Sequence, residues 1–595
     1  MLLPHQIFGI SFPEGIIRGR KRKNVLKGIG EEKNPTKVRL LFFVILLVFG
    51  LGIIFARFFS LIVIEGERYQ KLSSGNRISE VKITAPRGII YDRNQVPLVR
   101  NIPVFVTSDG KRYFEEKPAS PAGGSASVSA RMREDVGRSY IFGEEMAHII
   151  GYTGEVEEKE LSGGEGYKLG DVVGKSGIEQ EYDSLLRGKD GKELIEVDAL
   201  GEMVRVLGKV PPNVGNSLTL TIDSNLQKAV SETLDGKKGA VVVTDPTTGE
   251  ILALYSSPSF DPNKLIEDEG VEGIFADPNQ PLFNRAVSGQ YPPGSTFKML
   301  TALAALETGT ISPDTKIEDT GVLTVGKFSF GNWYFSQYGK KEGFLNIVGA
   351  IRRSNDIFFY KLGEMIGIQK LADWVKKIGV GSPTGVDIPG EESGLMPDPA
   401  WQKEVKGEDW YLGNTYHIAI GQGDMLATPL QVNSWTNTVA NGGKLCRPHL
   451  IRSQNGLCKD LNLKKENVAL VKEGMSQACS PGGTGFPLFN FKVPSTSTDT
   501  TGKESLKFKI DGVDFLEPPK EASVSAKNWV QIPVACKTGT AEFGETKGKS
   551  HAWFTLFAPV VHPQVSITVL VEGGGEGSSV AGPIAKKILE KWFSL

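Results

Sequence analysis

A continuous apolar run near the N-terminus is the feature that most limits what this chain can fold into. The residues from Leu40 to Ala56 carry no charge, and beyond Arg57 the apolar stretch continues to Ile64. A helix of about 20 apolar residues crosses the hydrocarbon core of a bilayer, and this run is long enough to do so with some tilt. We therefore predict a single transmembrane helix at residues 40–64.

The charges that precede this run indicate its orientation. In the tail at residues 1–39, lysines and arginines outnumber the acidic residues Glu14, Glu31 and Glu32. Basic segments beside a membrane helix stay in the cytoplasm, so we expect a cytoplasmic tail and export of the remaining chain. A cleaved signal peptide is the alternative, but the run is too long for one and Glu65-Gly-Glu-Arg-Tyr lacks an A-x-A-like cleavage site.

Overall composition argues against several classes of function. The chain of 595 residues has a net charge of −1 and 70 glycines, which suits several globular modules and does not indicate a nucleic-acid partner. None of the four cysteines belongs to a C-x-x-C pair, so we predict no metal site. An exported location permits disulfides, and we predict one between Cys458 and Cys479, with Cys446 as the alternative partner. We interpret Cys536 as a small buried strand residue and not as a reactive thiol.

A motif with the residue types of nucleophilic catalysis opens an apolar helix in the second half of the chain. Tyr291-Pro-Pro-Gly-Ser295-Thr-Phe-Lys298 runs into an apolar segment that stops at Gly309. We expect Ser295 to begin a helix that Gly309 ends in the left-handed conformation. The spacing puts Lys298 one turn above Ser295 on the same face, where it could act as the base for the serine. Taken alone, the motif is more typical of a helix cap followed by an exposed lysine.

Two further motifs follow in order and favour the catalytic interpretation. Ser354-Asn-Asp356 precedes a predicted helix at Ile357–Ile366, and Lys537-Thr-Gly-Thr540 lies in a predicted strand. Each motif alone is typical of a cap, a turn or a strand end. All three together form the signature of β-lactamases and penicillin-binding proteins.

The chain resembles the class B penicillin-binding proteins from about Leu40 to Leu595. Several blocks outside the three motifs carry the resemblance: Pro86-Arg-Gly-Ile-Ile-Tyr-Asp-Arg93, Gly174-Lys-Ser-Gly-Ile-Glu179, Gly385-Val-Asp-Ile-Pro-Gly390, Ile420-Gly-Gln-Gly423 and His551-Ala-Trp-Phe554. The Tyr-Pro-Pro-Gly before Ser295 and the block at His551 are more similar to the elongation branch of the family than to its division branch.

The resemblance implies an α+β fold with two exported domains. Residues 65–212 would form an irregular, β-rich pedestal domain of the dimerisation type, and residues 213–595 a penicillin-binding transpeptidase domain. Strand patterns at both ends of the latter, with a helical middle, predict one antiparallel sheet with helices beside it. Two segments depart from the family: a Pro-, Ala-, Gly- and Ser-rich stretch at 114–135, which we expect to lack fixed structure, and an insertion at about 486–528.

The resemblance also implies the roles of the site residues. The implied catalytic residues are the nucleophile Ser295, its base Lys298, the proton relay Ser354, and Lys537. The implied substrate-binding residues are Asp356, Thr538, Gly539 and Thr540. Backbone N–H groups of Ser295 and Thr540 would form the oxyanion hole.

Two physical expectations accompany these roles. Lys298 must be neutral to accept a proton, so we expect it to lie deep, while Lys537 stays charged at the rim of the cleft and depresses the pKa of its neighbour. The missing side chain of Gly539 would let an extended peptide approach and pair with the strand.

The implied function is a peptidoglycan D,D-transpeptidase of cell-wall elongation that β-lactams acylate. Ser295 would attack the D-Ala-D-Ala amide of a stem peptide, and an amine of a neighbouring stem would resolve the acyl-enzyme into a 4→3 crosslink. No cofactor is implied, and a separate SEDS-type glycosyltransferase is the implied partner at the membrane. The alternatives are a division-type transpeptidase, a D,D-carboxypeptidase and a non-catalytic or sensor penicillin-binding protein.

Overall fold

The computed structural model describes residues 35–69, 77–107, 112–114, 133–161, 167–198, 203–268, 270–452, 458–494, 509–510, 513–514, 529–543 and 549–594. The chain divides into two compact units, Met1–Glu80 with Leu194–Gly208, and Val81–Glu193 with Lys209–Leu595.

The helices and strands are numbered in chain order. The helices are α1 Pro35–Phe59, α2 Ala147–Ile150, α3 Glu158–Leu161, α4 Gly177–Glu181, α5 Asp183–Leu186, α6 Ser224–Leu234, α7 Pro262–Ile266, α8 Val271–Ala276, α9 Lys298–Glu307, α10 Trp333–Tyr338, α11 Ile347–Arg353, α12 Asp356–Ile366, α13 Ile368–Val375, α14 Pro399–Lys406, α15 Leu412–Ala419, α16 Pro429–Ala440, α17 Lys465–Ala478 and α18 Ala581–Trp592. The strands are β1 Ile78–Ile83, β2 Ile90–Tyr91, β3 Pro97–Val106, β4 Arg112–Tyr113, β5 Arg133–Tyr140, β6 Thr153–Glu155, β7 Val172–Gly174, β8 Gly191–Val197, β9 Met203–Val210, β10 Leu218–Thr219, β11 Gly239–Thr244, β12 Ile251–Ser257, β13 Ile317–Asp319, β14 Val322–Val325, β15 Phe328–Gly331, β16 Gly343–Leu345, β17 Lys444–Cys446, β18 Cys458–Asp460, β19 Lys492–Pro494, β20 Lys509–Ile510, β21 Val513–Asp514, β22 Trp529–Gln531, β23 Ala535–Glu542, β24 Ser550–Ala558 and β25 Val565–Val571.

The first unit contains the apolar helix that the sequence predicts. α1 continues as a π-helical turn at Ser60–Ile64, and its large apolar side chains are exposed to the surroundings. Within the described ranges, Arg39–Ile64 is the one helix long and apolar enough to cross a membrane. Its bounds agree with the predicted span at residues 40–64.

The second unit begins with a small sheet whose interior is held by buried ion pairs. Its strand order is β10-β2-β3-β4, with β5 paired to β3. Glu179 is 0 % exposed and accepts hydrogen bonds from the guanidinium groups of Arg87 and Arg138. The blocks around Pro86 and Glu179, quoted above for the family resemblance, therefore meet in one buried cluster.

A five-stranded antiparallel sheet forms the centre of the C-terminal part of this unit. Its order is β12-β11-β25-β24-β23, so β23, which carries Lys537, is an edge strand. β11 and β12 form the predicted hairpin, and the side chain of Asp223 caps α6 by accepting from the N–H groups of Asn225 and Leu226. α6 and α18 pack on one face of the sheet, and α9, α12 and α16 contribute to the core on the other. The predicted antiparallel sheet with helices beside it is confirmed.

The two segments that depart from the family begin or end in ordered structure. Residues 133–135 of the low-complexity stretch belong to β5, which pairs with β3, so the expectation of no fixed structure is wrong there. Residues 115–132 lie outside the described residues. The insertion starts with buried Leu488, Phe491 and Val493 and includes β19, which pairs with β22. Residues 495–508, 511–512 and 515–528 lie outside the description.

The cysteines pair differently from the prediction. Cys446 is bonded to Cys458, the partner considered as the alternative, and Cys479 is bonded to Cys536. Cys446 and Cys458 are direct cross-strand neighbours of β17 and β18, so the predicted bond between Cys458 and Cys479 is wrong. Cys536 is a buried strand residue, 0 % exposed, but its sulfur is in a disulfide.

Candidate active site

The first motif forms a tight turn at the head of a buried helix. Gly294–Thr296 is a 3₁₀ turn and α9 starts at Lys298, so half-buried Ser295 precedes the α-helix instead of opening it. Every residue of α9 from Lys298 to Leu306 is buried, and Gly309 has a φ of +67°. The predicted apolar helix and its left-handed glycine are confirmed.

The second motif occupies the junction between two helices. α11 ends at Arg353, and the next residue, Ser354, has a φ of +51° in the left-handed region. Asn355 caps α12 by accepting a hydrogen bond from the N–H of Phe358 at 2.9 Å. Because this backbone conformation costs a non-glycine residue energy, the surrounding structure must hold Ser354 in place.

The three motifs meet at the side chain of Ser354. Lys537 Nζ donates to Ser354 Oγ at 2.8 Å, and Lys298 Nζ lies 3.4 Å from the same oxygen. Lys298 also donates to the Ser354 carbonyl oxygen at 2.9 Å. The Ser354 hydroxyl thus connects the lysine of the first motif to the lysine of the third.

Both lysines are buried, which corrects one expectation. Lys537 is 0 % exposed, as is Lys298, so the prediction of a charged Lys537 at the cleft rim is wrong. Burial lowers the pKa of Lys537 well below its ordinary value and the adjacent Lys298 lowers it further, against the opposing effect of Asp356. Burial also lowers the pKa of Lys298, whereas Asp356 raises it. These contributions favour a neutral Lys537.

Asp356 is oriented toward the protein. Its Oδ1 accepts from Lys298 Nζ at 2.6 Å, and its Oδ2 accepts from the backbone N–H of Trp333 at 3.0 Å. Both carboxylate oxygens therefore have protein donors. A direct role of Asp356 in substrate binding stays a prediction. Its contact with Lys298 raises the pKa of that lysine.

Gly539 has a different packing role from the expected one. A Cβ at Gly539 would lie 2.9 Å from Trp553 Cβ, 3.0 Å from Thr296 Cγ2 and 3.2 Å from the Pro293 carbonyl oxygen. The space that the glycine leaves is filled by the turn carrying Ser295. The glycine thus permits close approach of the first motif to β23, while pairing of an extended peptide with the edge of that strand stays a prediction.

The two threonines of the third motif lie in different surroundings. Thr538 is 8 % exposed and its hydroxyl donates to Thr484 Oγ1 at 2.9 Å. Thr540 is exposed, and its carbonyl oxygen accepts from Gln422 Nε2 at 3.1 Å. Carboxylate binding by either hydroxyl stays a prediction, and the exposure of Thr540 favours it over Thr538.

Sequence reasoning missed three residues of the site. Gln422 and Thr484 contact the third motif, and the Trp333 N–H holds Asp356. Gln422 belongs to a block already quoted for the family resemblance, which was the available signal; for Thr484 and Trp333 no motif pointed to the site. In the part of the chain that the structure describes, no cluster of His, Cys, Asp and Glu could hold a metal ion.

Comparison with protein families matches the whole site to one domain type. The model of the penicillin binding protein transpeptidase domain covers residues 239–500 and 517–590, and that of the penicillin-binding protein dimerisation domain covers residues 126–220. The chain belongs to the penicillin-binding transpeptidase family. All three motifs of this family, at Ser295, Ser354 and Lys537, lie within the matched ranges.

Individual members of the family are similar along almost the full chain. Peptidoglycan D,D-transpeptidase MrdA of Acinetobacter baumannii is 31% identical, over 96% of this chain and 89% of that protein. PBP2 of Helicobacter pylori, solved as a complex between PBP2 and MreC, matches with a TM-score of 0.69 and 30% identity, over 87% of this chain and 99% of that one. A chain from a study of "structural coordination of polymerization and crosslinking by a peptidoglycan synthase complex" matches with a TM-score of 0.68 and 28% identity, over 95% and 99%.

Proposed function

We propose that this protein is a membrane-anchored peptidoglycan D,D-transpeptidase of the elongation type, with Ser295 as the nucleophile. The observation that carries the proposal is the meeting of both motif lysines at the Ser354 hydroxyl, beside the turn that bears Ser295. The similarity to MrdA and PBP2 over most of the chain supports the elongation branch.

The lysine cluster provides a path for the proton of Ser295. Two ammonium groups in one buried site repel each other, so we infer that the two lysines share a single positive charge. At rest that charge lies on Lys298, beside the Asp356 carboxylate. Passage of a proton from Lys298 through Ser354 Oγ to Lys537 would leave Lys298 neutral and able to accept the Ser295 proton.

Acylation of Ser295 and transfer of the acyl group each form one bond and break one bond. Ser295 Oγ attacks the carbonyl carbon of the penultimate D-alanine, the amide C–N bond breaks, and D-alanine leaves with the proton that the cluster held. A stem-peptide amine next attacks the ester carbon, the C–O bond breaks, and the proton returns to Ser295. N–H groups of Ser295 and Thr540 would stabilise the oxyanion in both steps. A β-lactam follows the first half only and remains as an ester.

The domain boundaries assign separate roles to the two exported parts. Residues 213–595 would carry the catalysis, and residues 65–212 would form a pedestal for docking. Among the structural relatives, one is a PBP2 bound to MreC and one comes from a peptidoglycan synthase complex. We infer from these that the present chain works beside a SEDS-type glycosyltransferase.

The orientation in the membrane is also part of the proposal. A basic tail at residues 1–39 in the cytoplasm and an exported catalytic domain agree with the charge distribution. The two disulfides support export, because such bonds persist in oxidising compartments. Protease added to spheroplasts should digest the catalytic domain and leave an N-terminal tag on residues 1–39 intact; the reverse pattern would contradict the orientation.

The activity itself is tested with nascent glycan strands that carry pentapeptide stems. Incubation with the detergent-solubilised chain should yield 4→3 crosslinked dimers and free D-alanine in equal amounts, and penicillin should block both. Tetrapeptides without dimers would instead identify a carboxypeptidase. In cells, depletion should produce round or swollen rods, whereas filaments with blocked septa would place the protein in the division branch.

A further inference from the structure

One short segment connects the second and third motifs without belonging to either. It comprises Cys479–Gly485, which follows α17 and precedes the 3₁₀ turn Phe486–Leu488, and we call it the bracket segment. Its backbone and side chains contact residues next to Ser354 on one side and next to Lys537 on the other.

The contacts with the third motif include a covalent bond. Cys479 is bonded to Cys536, the residue immediately before Lys537, with a Cα–Cα distance of 5.7 Å. Two residues further along β23, the Thr538 hydroxyl donates to Thr484 Oγ1 at 2.9 Å. Because side chains alternate along a strand, Cys536 and Thr538 lie on one face and Lys537 points to the other, toward Ser354.

The contacts with the second motif involve the two arginines that precede Ser354. Arg352 Nη2 donates to the Pro481 carbonyl oxygen at 2.9 Å, and Arg353 Nη1 donates to the Gly482 carbonyl oxygen at 2.8 Å. The end of α11, which positions Ser354 in its unfavourable backbone conformation, is therefore attached to the bracket segment.

The bracket segment has little freedom to change shape. The N–H of Gly485 donates to the Ala478 carbonyl oxygen, and the N–H of Gly483 donates to that of Ser480, each at 2.8 Å. A Cβ at Gly485 would lie 2.4 Å from Cys536 Sγ and 3.0 Å from Cys479 Sγ. The disulfide is thus packed directly against the folded segment.

We propose that the bracket segment, locked by the Cys479–Cys536 disulfide, is a positioning device that holds Lys537 at hydrogen-bond distance from the Ser354 hydroxyl. It fixes the end of α11 and the start of β23 to one rigid piece of chain, and so fixes the separation of the second and third motifs. The inference rests on the proposed function, because acylation by penicillin is its readout.

Loss of the Cys479–Cys536 disulfide should change the pH dependence of penicillin acylation. The charged groups that face Lys537 are Lys298 on α9 and Asp356 on α12, and neither changes when the disulfide is removed. If β23 shifts and water reaches Lys537, its lowered pKa rises toward the ordinary value of a lysine. Because the neutral amine then forms only at higher pH, the acid limb of the acylation profile moves upward in pH.

The chain offers a matched control for the experiment, since it contains a second disulfide away from the motifs. Three proteins are compared in detergent. The first carries both Cys479→Ser and Cys536→Ser, the second carries both Cys446→Ser and Cys458→Ser, and the third is the unmodified full chain. The measured quantity is the second-order rate of labelling by a fluorescent penicillin between acid and alkaline pH. A displacement of about 1 Å in a catalytic group costs roughly 10²-fold in rate, so the first variant should label about 10- to 100-fold more slowly, with its acid limb shifted upward. The control should keep the unmodified rate and profile.

Two further measurements test the proposal even if the first variant misfolds. A dithiol reductant, which gives two electrons and two protons to the disulfide and becomes a disulfide itself, should slow labelling of the unmodified chain, and reoxidation should restore it. Thr484→Ala should slow labelling, and Thr484→Ser, which keeps the hydroxyl, should recover most of the rate.

The outcomes separate the inference from the function on which it rests. An unmodified chain that takes no label contradicts the proposed function. A labelled chain whose rate and pH profile survive both the loss of the Cys479–Cys536 disulfide and Thr484→Ala contradicts the bracket alone. Equal loss of rate in both disulfide variants would show general destabilisation and would also overturn the proposal.

Discussion

At the scale of single residues, the site depends on Ser354 being held where a serine is unfavourable. A non-glycine residue in the left-handed region costs about 1–3 kcal/mol, and Ser354 has a φ of +51°. In return, its hydroxyl lies within reach of both lysines. The strained residue is thus also the one that connects the two amines.

Asp356 should control the pH at which these amines become neutral. Its carboxylate raises the pKa of Lys298 and opposes the lowering of the pKa of Lys537. Asp356→Asn removes this effect, so both pKa values fall and a neutral lysine persists to lower pH. The acid limb of penicillin acylation should therefore move to lower pH, while Asp373→Asn at an exposed position should leave it in place. An unchanged or upward-shifted limb in Asp356→Asn would contradict the charge assignment.

The four proposed catalytic residues could be read from the sequence, but their surroundings could not. Three ordered motifs are enough to propose that Ser295, Ser354 and Lys537 lie together. The burial of Lys537 depends on which residues pack over β23, an edge strand. The alternation of side chains along the strand does not predict those residues. For the same reason the packing partner of Gly539, the turn at Pro293, became visible only in the structure.

At the scale of elements, the buried ion cluster should stabilise the small sheet between β2 and β5. Burial alone would raise the pKa of Glu179, but Arg138 and Arg87 hold it below its ordinary value. The resulting stabilisation is complete above the unfolded-state pKa of about 4.3 and is lost as pH falls through the lowered folded-state value. Glu179→Gln takes the carboxylate partner from buried Arg138 and leaves Arg87 paired with Asp183 alone, and should cost about 3–5 kcal/mol. Its melting temperature should be lower at neutral pH and decline less in acid, whereas exposed Glu181→Gln should behave like the unmodified chain.

The contact between the first motif and β23 makes a second prediction at this scale. Gly539→Ala would force Thr296 and Trp553 apart, and overpacking of this kind costs about 1–3 kcal/mol. Because the displaced turn carries Ser295, penicillin labelling should slow even at temperatures where the variant is fully folded. Gly273→Ala, whose Cβ would meet nothing within 4 Å, is the control. Unchanged labelling of Gly539→Ala would show that the glycine has no role in aligning Ser295.

Elements with strong local signals were predictable, and pairings between distant segments were not. The hairpin of β11 and β12 follows from two apolar runs around Asp245-Pro-Thr-Thr-Gly249, and the cap at Asp223 follows from residue type. The bond between Cys479 and Cys536 joins residues 57 apart in sequence, and nothing in their spacing indicates that α17 ends beside β23. The same limit applies to the insertion, because nothing in its sequence separates the first residues, which pack into the core, from the rest.

At the scale of the whole molecule, the chain combines an apolar helix with matches to a penicillin-binding protein dimerisation domain and to a transpeptidase domain. Composition alone predicts the helix, because the 25 residues from Leu40 to Ile64 are nearly uncharged and long enough to cross a bilayer as a helix. The order of the remaining parts agrees with the family matches at residues 126–220 and at residues 239–500 and 517–590. We propose that all of these parts serve the acylation of Ser295, which is therefore the central claim.

Mapping the penicillin adduct tests that claim most directly. The full chain is labelled with penicillin and digested, and the modified peptide is sequenced by mass spectrometry. We predict one adduct, on Ser295. Ser295→Ala should abolish the adduct while its melting temperature stays close to that of the unmodified chain. An adduct on Ser354 or on any other serine, or labelling that persists in folded Ser295→Ala, would contradict the account.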